Sequence, residues 1–372
     1  MKNTTTKHRL DSLDILRGFD LFMLVFLQPI LVGLLQKINN PSFQGILNQL
    51  DHEVWTGFRA WDLVMPLFLF MAGAAMPFSF QKYRLDNNKW PIYKRIFRRV
   101  FLLFVLGAVV QGNLLGLNPK YLYLYTNTLQ AIGIGYLIAA IIQLYLPTKG
   151  QLIATALLLL LYWAPMTFLG DFTPEGNFAE KVDRFVLGRF RDGVYWNEDG
   201  NWSFAPNYNY TWILSSLTFG VTVMMGAFAG RIMKDGKDKL RNVQTLLIVG
   251  GACIIIALIW SLQMPIIKRI WTCSMTLYSG GISFMLMGLF YYWIDCKQHT
   301  KGLKWLKIYG MNSITAYVLG EIINFRSIVQ SVCYGFEQYL GNYYSVLINL
   351  GNYLIVFFIL RELYKRGVFL KV

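Results

Sequence analysis

The chain is poor in the residues that build metal centres, disulfide frameworks and acidic surfaces. Its 372 residues hold three histidines and four cysteines. Cys253, Cys273, Cys296 and Cys333 show no paired spacing, which excludes a zinc ribbon and a disulfide scaffold. Acidic residues are outnumbered 20 to 35 by lysine and arginine, giving a formal charge of +15. The two halves of the sequence show no internal similarity, whereas secondary-transporter folds commonly carry internal repeats. Charged residues make up only 15% of the chain, against about 25% in ordinary soluble domains.

Apolar residues fill the space that charge leaves. They reach 55% of the chain, with 16% aromatic residues and a mean hydropathy of +0.41. The runs 100–117, 152–169 and 246–262 carry no charge, and about 17 or more such residues suffice to cross a hydrocarbon core of roughly 30 Å. Further spans are expected near 16–35, 61–80, 128–146, 212–230, 274–294, 308–323 and 345–360. The pattern predicts an all-α, polytopic membrane helical bundle of about ten transmembrane helices, one domain over 1–372 with an outer loop insertion at 170–211. The first apolar stretch is too long for a signal-peptide core and lacks a small-x-small cleavage pattern, so it reads as a retained first helix. Residues 1–10 read as a mobile tail.

Basic residues gather in alternate connections, at 82–99, Lys149, 231–241 and 297–307, and at both chain ends. The positive-inside rule assigns these to the cytoplasm, with both termini there and an even number of crossings in the cytoplasmic (inner) membrane. That loop-by-loop placement, rather than one basic face, argues against nucleic acid as a partner. Topology alone accounts for the clusters; a docking face for an anionic cofactor is the sharper alternative.

The insertion at 170–211 mixes Tyr195, Trp196, Trp202, Tyr208 and Tyr210 with Asn177, Asn197, Asn207 and Asn209. Tryptophan and tyrosine anchor loops at the membrane interface, and flat rings beside amides also suit a sugar. Both readings stand.

His8 and His299 fall in cytoplasmic segments, which leaves His52 in the first outer connection. Imidazole, with an ordinary pKa of about 6.5, accepts and returns a proton near neutrality. A lone loop histidine is equally the mark of a plain surface residue. Three polar groups at membrane depth are functional candidates because carboxylates and amides are costly there unless paired or solvated. Gln28 in the first span suits an oxyanion donor or an interhelical hydrogen bond. Asp62, at the start of the second, suits the orientation of His52, an acceptor ammonium or simply a helix N-terminus. Glu321 lies near the end of the ninth. The ninth span also carries Asn312, Ser313 and Thr315, which predicts that it lines an interior cavity. Arg17, Arg98 and Arg99 stand at the inner ends of spans, where the planar guanidinium suits phosphate and snorkelling is the alternative.

The stretch His52-Glu53-Val54-Trp55-Thr56-Gly57 followed by Asp62-Leu63-Val64-Met65-Pro66 resembles the heparan-α-glucosaminide N-acetyltransferase family of transmembrane acyltransferases. Four more stretches agree in order along nearly the whole chain: Ser12 to Gly18, Lys181 to Arg184, Pro265 to Thr272 and Gly310 to Tyr317. The resemblance implies transfer of acetyl from cytosolic acetyl-CoA to a terminal glucosamine across the membrane, with no metal, and a homodimer. It implies that His52 is catalytic, as general base or acyl carrier. An asparagine assists in the family, and Gln28 stands at that position here. Animal members place a histidine before the glutamate of the Gly-Met-Asn-Ser helix, where this chain has Gly320 before Glu321. The acceptor is then expected at Trp55, Asp62, Lys268, Asn312 and Glu321, and coenzyme A at Arg17, Arg98 and Arg99. The competing readings are O-acetylation of a surface glycan on the same fold, a secondary transporter of small solutes, and a structural or sensory membrane protein.

Overall fold

A computed structural model describes residues 10–38, 40–84, 88–112, 120, 122–205, 210–236 and 238–370. The expectations for residues 1–9, for the end of the 100–117 run and for Asn207, Tyr208 and Asn209 lie outside the described residues.

The chain is helical almost throughout. α1 (Asp11–Phe22) continues through a π turn at Met23–Leu27 into α2 (Gln28–Ile38), and α3 (Gln44–Gln49) leads to the His52 loop. A 3-10 turn, Ala60–Leu63, starts α4 (Val64–Ala74), followed by α5 (Met76–Arg84), α6 (Trp90–Val110), α7 (Thr128–Tyr145) and α8 (Thr148–Phe168). The insertion contains α9 (Phe178–Leu187) and a short antiparallel pair, β1 (Val194–Trp196) and β2 (Trp202–Phe204). Then come α10 (Ser216–Asp235), α11 (Lys239–Trp260), α12 (Cys273–Tyr291), α13 (Lys304–Met311), α14 (Ser313–Ile322), α15 (Arg326–Cys333), α16 (Glu337–Leu340) and α17 (Tyr344–Lys365).

Eight stretches among the described residues are long and apolar enough to cross a membrane; the chain is a multi-pass membrane protein. Two expected spans differ in form. α6 begins at Trp90, ten residues ahead of the uncharged run, with Pro91 in its first turn. Helix geometry runs straight through Lys94, Arg95, Arg98 and Arg99, which a search for uncharged residues cannot do. The 308–323 span is broken at Asn312, between α13 and α14.

Buried glycines set the close crossings. A Cβ on Gly73 would collide with the carbonyl of Val223, and one on Gly226 with that of Phe70. α4 and α10 therefore meet backbone to backbone at the centre, the small-residue packing that substitutes for a hydrophobic drive inside lipid. Gly18 and Gly310 do the same for α1 and α13.

Polar contacts mark the two ends of the bundle. At one, Lys307 pairs with Asp11 at 2.6 Å, the Ser12 N–H donates to Asp295, and Arg231 donates to Thr148 and Gln151. At the other, the Gly57 N–H donates to the Ile266 carbonyl at 2.8 Å and Trp55 Nε1 donates to Phe172 at 2.8 Å. There too the buried carboxylate of Asp183 accepts from the Trp212 and Ile213 N–H groups at 2.7 and 2.9 Å, docking the insertion on the start of α10. Burial lifts the Asp183 carboxyl to about 7, against the pull of those two N–H groups.

Candidate active site

Asp62 organises the loop before α4. One carboxylate oxygen accepts the N–H groups of Arg59 and Glu53, at 3.0 and 3.2 Å. The other stands 2.8 Å from His52 Nδ1. Arg59 closes the loop on Glu53 at 2.9 Å, and Gly57 turns it at a φ of 133°, a conformation that favours glycine. Asp62 is fully buried while the His52 side chain is 38% exposed. The ring is thus fixed by a sealed carboxylate and still reachable.

A second loop brings Lys268 to the same point. Thr272 Oγ1 accepts the Ile267 N–H and donates to Pro265, at 3.1 and 2.9 Å, which pins the segment between α11 and α12. Lys268 Nζ comes to lie 2.9 Å from His52 Nδ1 and 3.4 Å from both His52 Nε2 and Asp62 Oδ1. Burial pushes its ammonium down to about 8; Asp62 opposes that shift and the Arg269 guanidinium adds to it.

His52 opens onto a cavity of about 960 Å³. Trp61, Met65, Phe68, Ala72 and Ala75 line it, at helical spacing along one face of the 3-10 turn, α4 and its C-terminal cap. At 1.5 Å per residue that stripe spans roughly 20 Å. Near His52 the walls are Lys268, Arg269, Tyr210 and Asp192; Arg17, Arg95, Arg98 and Arg99 line the same cavity toward the end where α6 begins. Arg17 donates to the Met71 carbonyl at 3.4 Å. The Arg99 guanidinium lies over the Tyr136 ring at 4.2 Å, and its Nε is buried with no partner among the described residues. An orphaned guanidinium N–H beside three further arginines fits phosphate groups.

The residues expected from sequence separate into two groups. His52, Lys268, Glu321, Arg17, Arg98 and Arg99 line the cavity, and Asp62 touches it through His52. Gln28, Trp55 and Asn312 do not line it. Gln28 Nε2 donates to the Leu50 carbonyl at 3.2 Å, two residues before His52. Trp55 is tied to Phe172. The Asn312 amide is buried against the carbonyls of Ile308 and Leu360, and its neighbour Ser313 faces the cavity instead.

Tyr210, one of the aromatic residues noted in the insertion, lines the cavity too, as do Arg95, Arg269 and Tyr317, which were not singled out from sequence. Arg95 was within reach, because it precedes Arg98 and Arg99 by three and four residues and so shares their helix face. Among the described residues no group of three or more metal-ligating side chains occurs.

Residues 9–175 match the family described as "Heparan-alpha-glucosaminide N-acetyltransferase, catalytic". The mouse protein of the name heparan-alpha-glucosaminide N-acetyltransferase is 22% identical over 377 residues, covering 86% of this chain and 54% of its own length. Its human counterpart is 24% identical over 375 residues, covering 84% and 53%. The chain spans about half the length of these curated relatives.

Proposed function

The chain is related to the heparan-alpha-glucosaminide N-acetyltransferase family, and on that premise we propose that it moves an acetyl group from cytoplasmic acetyl-CoA to the amine of a glucosamine-type acceptor on the opposite face of the membrane. The observation that carries this reading is that one cavity touches both His52 and the cluster of Arg17, Arg95, Arg98 and Arg99. In this reading the arginine end faces the cytoplasm with both termini, and the helices make ten crossings of the inner membrane.

Arg17, Arg95, Arg98 and Arg99 hold the phosphates of acetyl-CoA, their forks and charge matching those groups. The slot along α4 is long enough for the acyl arm to reach His52. With Nδ1 held by Asp62, Nε2 is left as the base that removes the acceptor's proton as its nitrogen attacks the thioester. Asp62 then steadies the imidazolium that forms. Glu321, in the cavity wall on α14, attracts the acceptor ammonium. Gln28 acts through the loop: by holding Leu50 it positions His52 and does not reach the reacting carbonyl.

The test is transfer of labelled acetyl from acetyl-CoA to glucosamine by the purified chain. The expected product is a base-stable amide, and His52→Ala lowers kcat by about 100-fold or more. A base-labile ester on a glycan would reassign the acceptor. Absence of both transfer and coenzyme A release with every amino sugar removes the enzyme reading, and unchanged turnover in His52→Ala removes the base.

A further inference from the structure

An amine belonging to the chain itself stands at the proposed base. Lys268 Nζ is within 3.4 Å of both ring nitrogens of His52, so it lies across the ring rather than in line with one lone pair. An acceptor nitrogen must come to the same side of the site, to the Nε2 lone pair that lies 3.4 Å from Lys268 Nζ, to pass its proton to the imidazole. Lys268 is only 8% exposed, yet it lines the cavity that runs to the arginines. It is a primary amine, as the amino group of glucosamine is. The charged and titratable groups that face it are His52, Asp62 and Arg269.

We propose that Lys268 is a modification site: when no external amine fills the mouth of the cavity, its Nζ accepts the acetyl group and the residue becomes Nε-acetyllysine. The proposal rests on the acetyl-transfer reading above. In the step, neutral Nζ attacks the carbonyl carbon of an acyl thioester. The C–N bond forms and the C–S bond breaks. The proton shed by nitrogen passes to His52 and on to the departing thiolate, so an amide and a thiol result with no oxidant or reductant.

Two features of the site bear on the rate. Asp62 holds the ammonium form of Lys268 by ion pairing at 3.4 Å, which restrains the reaction, and burial works the other way by placing the titration near 8. Attack needs the neutral amine, so acetylation rises with pH up to about 8 and levels off above it. Once acetylated, Lys268 carries no charge. Asp62 then loses its neighbouring cation, and the acetyl group occupies the acceptor's position, so turnover stops. An acceptor ammonium competes for the same place beside Asp62 and protects the lysine.

The experiment incubates the purified full chain with acetyl-CoA alone and maps acetylation by peptide mass spectrometry, with acetyl transfer to glucosamine measured on the same preparation. The expected result is a gain of one acetyl group on Lys268, falling about tenfold or more when glucosamine is present and again in His52→Ala. Lys268→Arg keeps a cation beside Asp62; whatever its turnover, it shows no time-dependent inactivation by acetyl-CoA. An unmodified Lys268 in a preparation that acetylates glucosamine overturns the proposal and leaves the proposed function standing. Equal labelling of Lys268 in His52→Ala also overturns it, since the site's base would then play no part. A preparation that neither acetylates glucosamine nor labels Lys268 overturns both.

Discussion

Asp62 serves two needs with one carboxylate. One oxygen fixes the backbone of Glu53 and Arg59, and the other faces Nδ1 of His52. The two roles separate on mutation. Asp62→Asn keeps an oxygen for the loop but removes the charge that steadies an imidazolium, so kcat is expected to fall by about 100-fold with KM little changed. Asp62→Ala adds a structural cost, because two half-buried N–H groups lose their acceptor, at up to about 1 kcal/mol each. Steady-state kinetics beside thermal unfolding in detergent distinguishes the two, and equal kinetics for wild type and Asp62→Asn would remove the charge from the mechanism. His52 and Asp62 were legible in the sequence because they are ten residues apart in one loop. Lys268 stood within a matching stretch, but its approach to the ring joins positions 216 residues apart, and no local pattern encodes such a contact. The contact of Gln28 was hidden for a related reason: its amide donates to a carbonyl in a loop whose path only the folded chain reveals.

Among the elements, the α4 and α10 crossing and the insertion each depend on a small number of atoms. Gly226 lies against the Phe70 carbonyl with no room for a side chain. Gly226→Val is expected to destabilise the fold by about 2 kcal/mol or more through overpacking of backbone that cannot yield, read as a lowered Tm, and an unchanged Tm would show that the crossing relaxes. Asp183→Ala strips the acceptor from the Trp212 and Ile213 N–H groups and should speed hydrogen exchange at α9 and the start of α10. The pH dependence has a definite sign. Burial raises the folded pKa of Asp183 from 3.8 to about 7, so the folded state binds the extra proton, and the stability linked to it is lost as pH rises through that value. Docking of the insertion should therefore be tighter at pH 6 than at pH 8, and Asp183→Asn should flatten the difference. The helices themselves were legible because long uncharged runs are a strong signal. The start of α6 was not, since its arginines belong to the helix and face a cavity rather than lipid. The fold of the insertion was equally hidden, because its contacts reach distant partners: Trp196 donates to the Lys120 carbonyl, and the Phe172 carbonyl accepts from Trp55.

For the molecule as a whole, the cavity joins features that the sequence showed separately. A lone histidine, a set of arginines and a polar ninth span become walls of one space of about 960 Å³. If the arginine end meets phosphate, then Arg95→Ala and Arg98→Ala each raise KM for acetyl-CoA more than they lower kcat, and added salt weakens binding further by screening. Unaltered KM in both variants would place coenzyme A elsewhere. The central claim is that acyl donor and acceptor meet from opposite sides of the membrane. Its most direct test uses sealed vesicles with the chain in one orientation, labelled acetyl-CoA supplied only to the arginine side and glucosamine only to the His52 side. The account predicts acetylated amine appearing on the His52 side, and none with His52→Ala. Product formed only when both reactants share one compartment would contradict it.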